Sequence, residues 1–260
     1  MTDFSLEEYE KIEPKVELDG VKYSVPTQHC LWRVQSLYTK EPDTLEWIAK
    51  FEKDDVLIDV GANVGMYTLW AAVKFGVQVF AFEPESQNYA LLCKNIVFNG
   101  MQDLVTAYCL AISDDGGDRG GVNFSNLYLS EFMLGGSCHS FGEEVDFHLK
   151  PRPSAFRQGC LSISLDQFMA EGGLKTGTSP IHIKIDVDGI EHKVILSAMR
   201  TLENPRVRSV LIELNTNLSQ HNEIISVMEG LGFITTIHPQ AIRTEGPFKG
   251  IGNHIFVRKT

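Results

Sequence analysis

Cysteine is scarce in this chain and never closely paired. Cys30, Cys93, Cys109, Cys138 and Cys160 are spread over 260 residues without a C-x-x-C pair. That argues against both a zinc knuckle and a disulfide framework, so a reducing compartment is expected. No stretch approaches the ~18 consecutive apolar residues of a membrane span. Residues 1–15, MTDFSLEEYEKIEPK, lack the basic start and apolar centre of a secretory signal, and a cytoplasmic location is expected. Positive charge is also in short supply. With 23 basic against 34 acidic residues the formal charge is −11, and no Lys/Arg block stands out. An electrostatic grip on nucleic acid or an anionic membrane is poorly supported, so small-molecule or glycan partners fit better.

What is present is an apolar content of 43%, enough for a large core. From residue 56 onward short apolar strands alternate with helical patterns: VLIDV, GMYTLWAAVKF, VQVFAFE, QNYALLCKNIVF and LVTAYCLAIS. The same pairing returns in IHIKID with IEHKVILSAMRTL and in VRSVLIEL with HNEIISVMEGLG, before FITTIH and HIFVRK close the chain. This alternation predicts α/β architecture, a doubly wound sheet of seven strands. Residues 55–260 are expected to form one domain, with a loop-rich insertion over about 112–160. Residues 1–54 are expected to form an N-terminal cap, in which EPDTLEWIAKF reads as a helix begun by Pro42.

In VLIDVGANVGMY the first strand ends at Asp59 and turns through Gly61, Asn63 and Gly65. Ligands of doubly wound sheets bind beyond the carboxyl ends of the strands, and glycine lets a backbone approach them closely. A dinucleotide fingerprint would need a third glycine, and a Walker loop needs Gly-Lys-Ser/Thr; neither is present. Glu83 ends the next strand, 24 residues after Asp59. Its carboxylate can accept both hydroxyl hydrogens of a ribose, which suits an adenosyl ligand without a pyrophosphate, such as S-adenosylmethionine. The blander alternatives are a chain turn at Gly61 and Gly65, a helix cap at Asp59 and a solvated strand end at Glu83.

DVGANVG, followed by AFEPES, LLCKNI and KIDVDGIE, resembles the S-adenosylmethionine-dependent methyltransferases of the FkbM family, over roughly residues 55–258. The resemblance implies a Rossmann-like sheet of order 3-2-1-4-5-7-6 with the last strand antiparallel. It implies a cofactor lying over Asp59, Gly61, Asn63 and Gly65, with Glu83 on the ribose. Pro84, Ala111 and Ile112 would stand beside the adenine.

Methyl transfer to a hydroxyl needs a group to take the proton. Asp186, at the end of IHIKID, is the first candidate as base, substrate anchor or metal ligand. Glu191 and the loop residue His139, in GGSCHSFG, are further catalytic candidates, the latter on glycines that would let it move. Asp188 and Glu191 have the spacing of a capping box, and for Asp188 that structural role is preferred. Asp186, Glu213 and Asn215 carry the hard oxygens that could hold Mg²⁺. Trp32, Trp47 and Trp70 read as core. The expected function is O-methylation of a hydroxyl on a sugar, glycan intermediate or secondary metabolite. The alternatives are an NAD-dependent dehydrogenase or epimerase and a non-catalytic module that binds S-adenosylmethionine.

Overall fold

The computed structural model describes residues 14–114, 121–171, 174, 177–237 and 241–259. The chain opens with a hairpin of β1 (Lys15–Leu18) and β2 (Val21–Ser24). Asp19 and Gly20 make its two-residue turn, both at positive φ (50° and 81°), a conformation that Asp-Gly tolerates. Three short helices follow, α1 (Gln28–Gln35), α2 (Leu37–Lys40) and α3 (Pro42–Ile48). Thr27 caps α1 by accepting the Cys30 N–H, and Pro42 opens α3 where its missing N–H costs nothing.

The βαβ rhythm then runs through β3 (Val56–Val60), α4 (Met66–Phe75), β4 (Gln78–Phe82), α5 (Ser86–Phe98) and β5 (Val105–Tyr108). An insertion carries β6 (Ala111–Ile112), β7 (Asn123–Leu129), β8 (Ser140–Phe141), β9 (Phe156–Ile163) and α6 (Leu165–Glu171). The main domain resumes with β10 (Ile181–Ile185), α7 (Glu191–Leu196), α8 (Met199–Glu203), β11 (Val207–Asn215) and α9 (Ser219–Gly230), then β12 (Phe233–Thr236) and β13 (Ile251–Arg258).

The main sheet is mixed, in the order β12-β13-β11-β10-β3-β4-β5. β3 pairs in parallel with β4 and β10, and β13 runs antiparallel to β11 and β12. One face packs on α4, α5 and the N-terminal helices, the other on α6 to α9, so each strand feeds two apolar layers. β10 shows why its sequence alternates as it does. Ile181, Ile183 and Ile185 enter the second layer, while His182 and Lys184 turn toward the first. His182 stacks on Phe51 at 3.9 Å between centroids and bonds to Ser209 and Asp55. Lys184 is buried in an ion pair with Asp186. Polar side chains are tolerated there because each has a partner.

Two expectations need correction. The insertion is not mainly loop: β7 and β9 form a seven-pair antiparallel ribbon, flanked by β6 and β8 in a second sheet of order β6-β9-β7-β8. The helix expected across VILSAMRTL divides at Ser197, whose carbonyl oxygen accepts the Asp166 N–H instead of continuing the ladder. Among the described residues no helix is long and apolar enough to cross a membrane.

Candidate functional site

The turn after β3 is held by more than glycine freedom. Gly61 has φ +86°, and a Cβ there would collide with the backbone carbonyl of Asp186 at the end of β10. Gly65, at φ +90°, would place a Cβ 2.6 Å from Leu92 Cδ1 of α5. Gly61 is therefore required by a neighbouring backbone as well as by its own conformation, and Gly65 by its conformation, since the Leu92 methyl can shift aside. Helix α4 starts one residue later, at Met66.

Asn63, also at positive φ, links three elements. Its backbone N–H donates to Glu83 Oε2 (2.7 Å), its side-chain Nδ2 to Gly136 O (2.7 Å), and its Oδ1 accepts the Val64 N–H. Asp59 lies beneath the turn rather than in it. It is buried, receives the Thr68 hydroxyl at 2.6 Å, and lines none of the cavities described below. Burial raises its pKa against the pull of Lys184. Its Oδ2 supports the strand end through Thr68, while Oδ1 is buried with no hydrogen-bond partner among the described residues.

Two cavities meet on this turn. The first is narrow, about 60 Å³, and is walled by Phe82, Pro84, Ala111, Ile112 and Ile190 with Glu83 at its edge. The ribbon contributes Leu127, His139 and Phe141. Glu83 accepts the Asn63 and Glu85 N–H groups, yet burial prevails and pushes its pKa up to about 7. A buried carboxylate edge beside apolar walls suits a purine nucleoside whose ribose hydroxyls complete the acceptor's valences. The residues present therefore fit S-adenosylmethionine, and Glu83, Pro84, Ala111 and Ile112, all expected from the sequence, lie together.

The second cavity, about 330 Å³, lies between the N-terminal helices and the ends of β10 and β11. It holds Asp186, Asp188 and Glu213, three carboxylates with oxygens within 4.8 Å of one another, together with Arg33, Lys40 and Arg243. Trp32 and Phe248 supply aromatic surface. Gly61, Asn63 and Asp186 line both cavities.

Several expectations change here. Asp188, at φ 59°, does not cap α7; its carboxylate accepts the Cys138 N–H at 2.7 Å. Glu191 is buried and accepts N–H groups from Val187 and Gly189, with His221 Nε2 3.4 Å away. It is a backbone clip outside the second cavity, and burial raises its pKa to about 8. Asn215 is committed to Phe147 O, His148 and Asn217, which removes it from any ligand set. The remaining carboxylates have resident partners: Lys184 on Asp186 at 2.9 Å and Arg243 on Glu213 at 3.1 Å. This donor set does not call for Mg²⁺. Glu213 is nonetheless raised well above the ordinary range by burial and then by Asp186, so the group shares fewer charges than its three carboxyls suggest.

Trp47 and Trp70 are buried, but Trp32 is 49% exposed on the wall of the second cavity, so it is not core. His139 does not swing on free glycines. The preceding loop is pinned by Arg33 Nε on Gly135 O, by Gly135 N–H on Asn88 Oδ1 and by Asn63 on Gly136 O. Arg33, Lys40 and Arg243 were not singled out from sequence. Only the amphipathic setting of Trp32 and Arg33 could have hinted at a site, because distant elements deliver these cations.

An apolar-walled cleft with a buried carboxylate, joined to a polar cavity, borders the carboxyl ends of the strands in this mixed α/β fold of methyltransferase type. Residues 59–235 match the methyltransferase FkbM domain, and the chain belongs to that family, whose methyl donor is S-adenosylmethionine. The 31-O-demethyl-FK506 methyltransferase FkbM of Streptomyces tacrolimicus is 30% identical over 194 residues, covering 69% of this chain and 72% of that protein. The hexuronic acid methyltransferase AglP of Haloferax volcanii is 24% identical over 199 residues, covering 76% and 72%.

Proposed function

We propose that the chain O-methylates a hydroxyl of a sugar, glycan intermediate or secondary metabolite. The observation that supports this most is the shared rim: Gly61, Asn63 and Asp186 border both the nucleoside cleft and the polar cavity. S-adenosylmethionine, when bound, supplies an electrophilic methyl carbon. In this reading Glu83 anchors the ribose, and Phe82, Pro84, Ala111 and Ile112 enclose the adenine away from water. Gly61 and Asn63 carry the boundary across which donor and acceptor meet, so placement provides much of the rate.

Asp186 accepts the hydroxyl proton in this scheme. It stands at that boundary, and its side chain is 20% exposed, open enough to reach an acceptor. Lys184 orients it and is itself buried; burial alone would lower the lysine pKa, but Asp186, Asp59 and Glu41 together raise it, so it remains a cation. Trp32 offers an aromatic face to a sugar ring, and Arg33, Lys40 and Arg243 offer donors to its oxygens. One relative being a hexuronic acid methyltransferase agrees with such an acceptor.

The test is transfer of an isotopically labelled methyl group to a panel of uronic acids, neutral sugars and polyketide hydroxyls, read by mass spectrometry. Asp186→Asn is expected to keep S-adenosylhomocysteine affinity within about threefold while turnover falls on the order of 10²–10⁴. Equal turnover would remove Asp186 from the mechanism. Binding without transfer to any acceptor would favour a non-catalytic module, and tight NAD binding in place of S-adenosylhomocysteine would end the methyltransferase reading.

A further inference from the structure

His139 was expected as a mobile base. It lines instead the apolar-walled cleft, together with Leu127 of β7, Phe141 of β8 and the Glu83–Pro84 strand end. The Ser130 backbone N–H points to its Nδ1 at 3.2 Å. A backbone N–H can only donate, so Nδ1 is the acceptor and the ring proton of the neutral imidazole sits on Nε2. Burial, then Arg152 and Arg33, push the ring's pKa down to about 4, so it is neutral at physiological pH. Nε2 is buried and has no hydrogen-bond partner among the described residues. An orphaned buried donor is costly unless something accepts from it, and the cleft that His139 lines is the neighbouring space where an acceptor could be bound.

We propose that His139 is a cofactor-binding residue, its Nε2–H donating to a ring nitrogen or ribose oxygen of the adenosyl group. This rests on the reading of that cleft as the S-adenosylmethionine site. It gives the insertion a purpose: β8 and its preceding loop bring a directional donor over a cleft whose other walls are mostly apolar. It also removes His139 as a base, because Nδ1 is occupied by Ser130 and Nε2 already carries its proton.

Two substitutions separate the donor from the ribbon it helps to hold. His139→Asn places an amide oxygen where Nδ1 stood, keeping the Ser130 N–H satisfied while deleting the Nε2 donor. His139→Gln reaches the Nε2 position with an amide N–H and gives up the Ser130 bond. Calorimetry with S-adenosylhomocysteine is expected to show His139→Asn about tenfold weaker and His139→Gln within about threefold of the unaltered protein. The opposite order, Asn tight and Gln weak, would show a ribbon prop and overturn the proposal. So would unchanged affinity in His139→Asn accompanied by lost turnover, which belongs to a base. If the unaltered protein itself fails to bind S-adenosylhomocysteine, the function reading falls together with this one; a normal wild type beside an indifferent His139→Asn removes this inference alone.

Discussion

At the residue scale, Glu83 shows how one carboxyl can be both strained and useful. Its ordinary pKa of 4.5 is lifted to about 7 by burial, although two backbone N–H groups favour the ionised form. Between those values the folded chain holds a proton that the unfolded chain has released, so this group makes stability fall as pH rises through that window. Ribose hydroxyls bind best to the ionised acceptor, which opposes the burial cost once a nucleoside is present. S-adenosylhomocysteine affinity should therefore climb between about pH 6 and pH 8. Glu83→Gln should bind about tenfold more weakly at the upper end and lose most of that climb, as a calorimetric pH series would show. The position of Glu83 at the end of β4 was legible because a carboxylate closing an apolar strand is a local pattern. Asp188 was misread because D-G-I-E also looks local, whereas its partner, the Cys138 N–H, lies 50 residues away.

At the scale of elements, the end of β3 packs against the end of β10 so closely that residue 61 has no room for a side chain. Gly61→Ala combines left-handed φ with a collision against a backbone carbonyl that cannot rotate aside. The expected loss is about 3 kcal/mol or more, part from conformation and part from displaced strand ends. Gly100→Ala is the control. It shares a positive φ of 66° but has nothing within 4 Å of the added methyl, so only the conformational cost of roughly 1–2 kcal/mol remains. Urea unfolding of the two variants separates these contributions, and equal losses would show that the β3–β10 contact is not limiting. The βαβ rhythm behind this geometry was plain in the sequence because each strand and helix carries its own period. The β7–β9 ribbon was not. Its strand NFSNLYL and its partner FRQGCLSI lie among glycines and serines, and only their mutual pairing across 26 intervening residues makes them a sheet.

For the whole molecule, the boundary expected near residue 54 does not coincide with a boundary in the core. Val21, Tyr23, Val34, Leu37, Trp47 and Ile48 from the N-terminal segment bury against Leu57, Leu69 and Leu211 in one apolar cluster. Trp47 also donates from Nε1 to Ser209 Oγ at 2.8 Å, the same hydroxyl that meets His182. The segment is thus a wall of the domain that also presents Trp32, Arg33 and Lys40 to the polar cavity. Removing residues 1–54 should expose one face of the sheet and abolish cooperative thermal unfolding, not merely change the acceptor. Trp47→Phe keeps most of the apolar area and loses one hydrogen bond, so it should stay folded with a cost of about 1 kcal/mol. In a chain of this size that corresponds to a Tm lower by roughly 2–4 °C. Calorimetric melts of both forms, with and without S-adenosylhomocysteine, check the claim. A truncated chain that melts in one transition and still shifts upward with ligand would make the N-terminal segment a detachable cap, with the cofactor site folding independently of it.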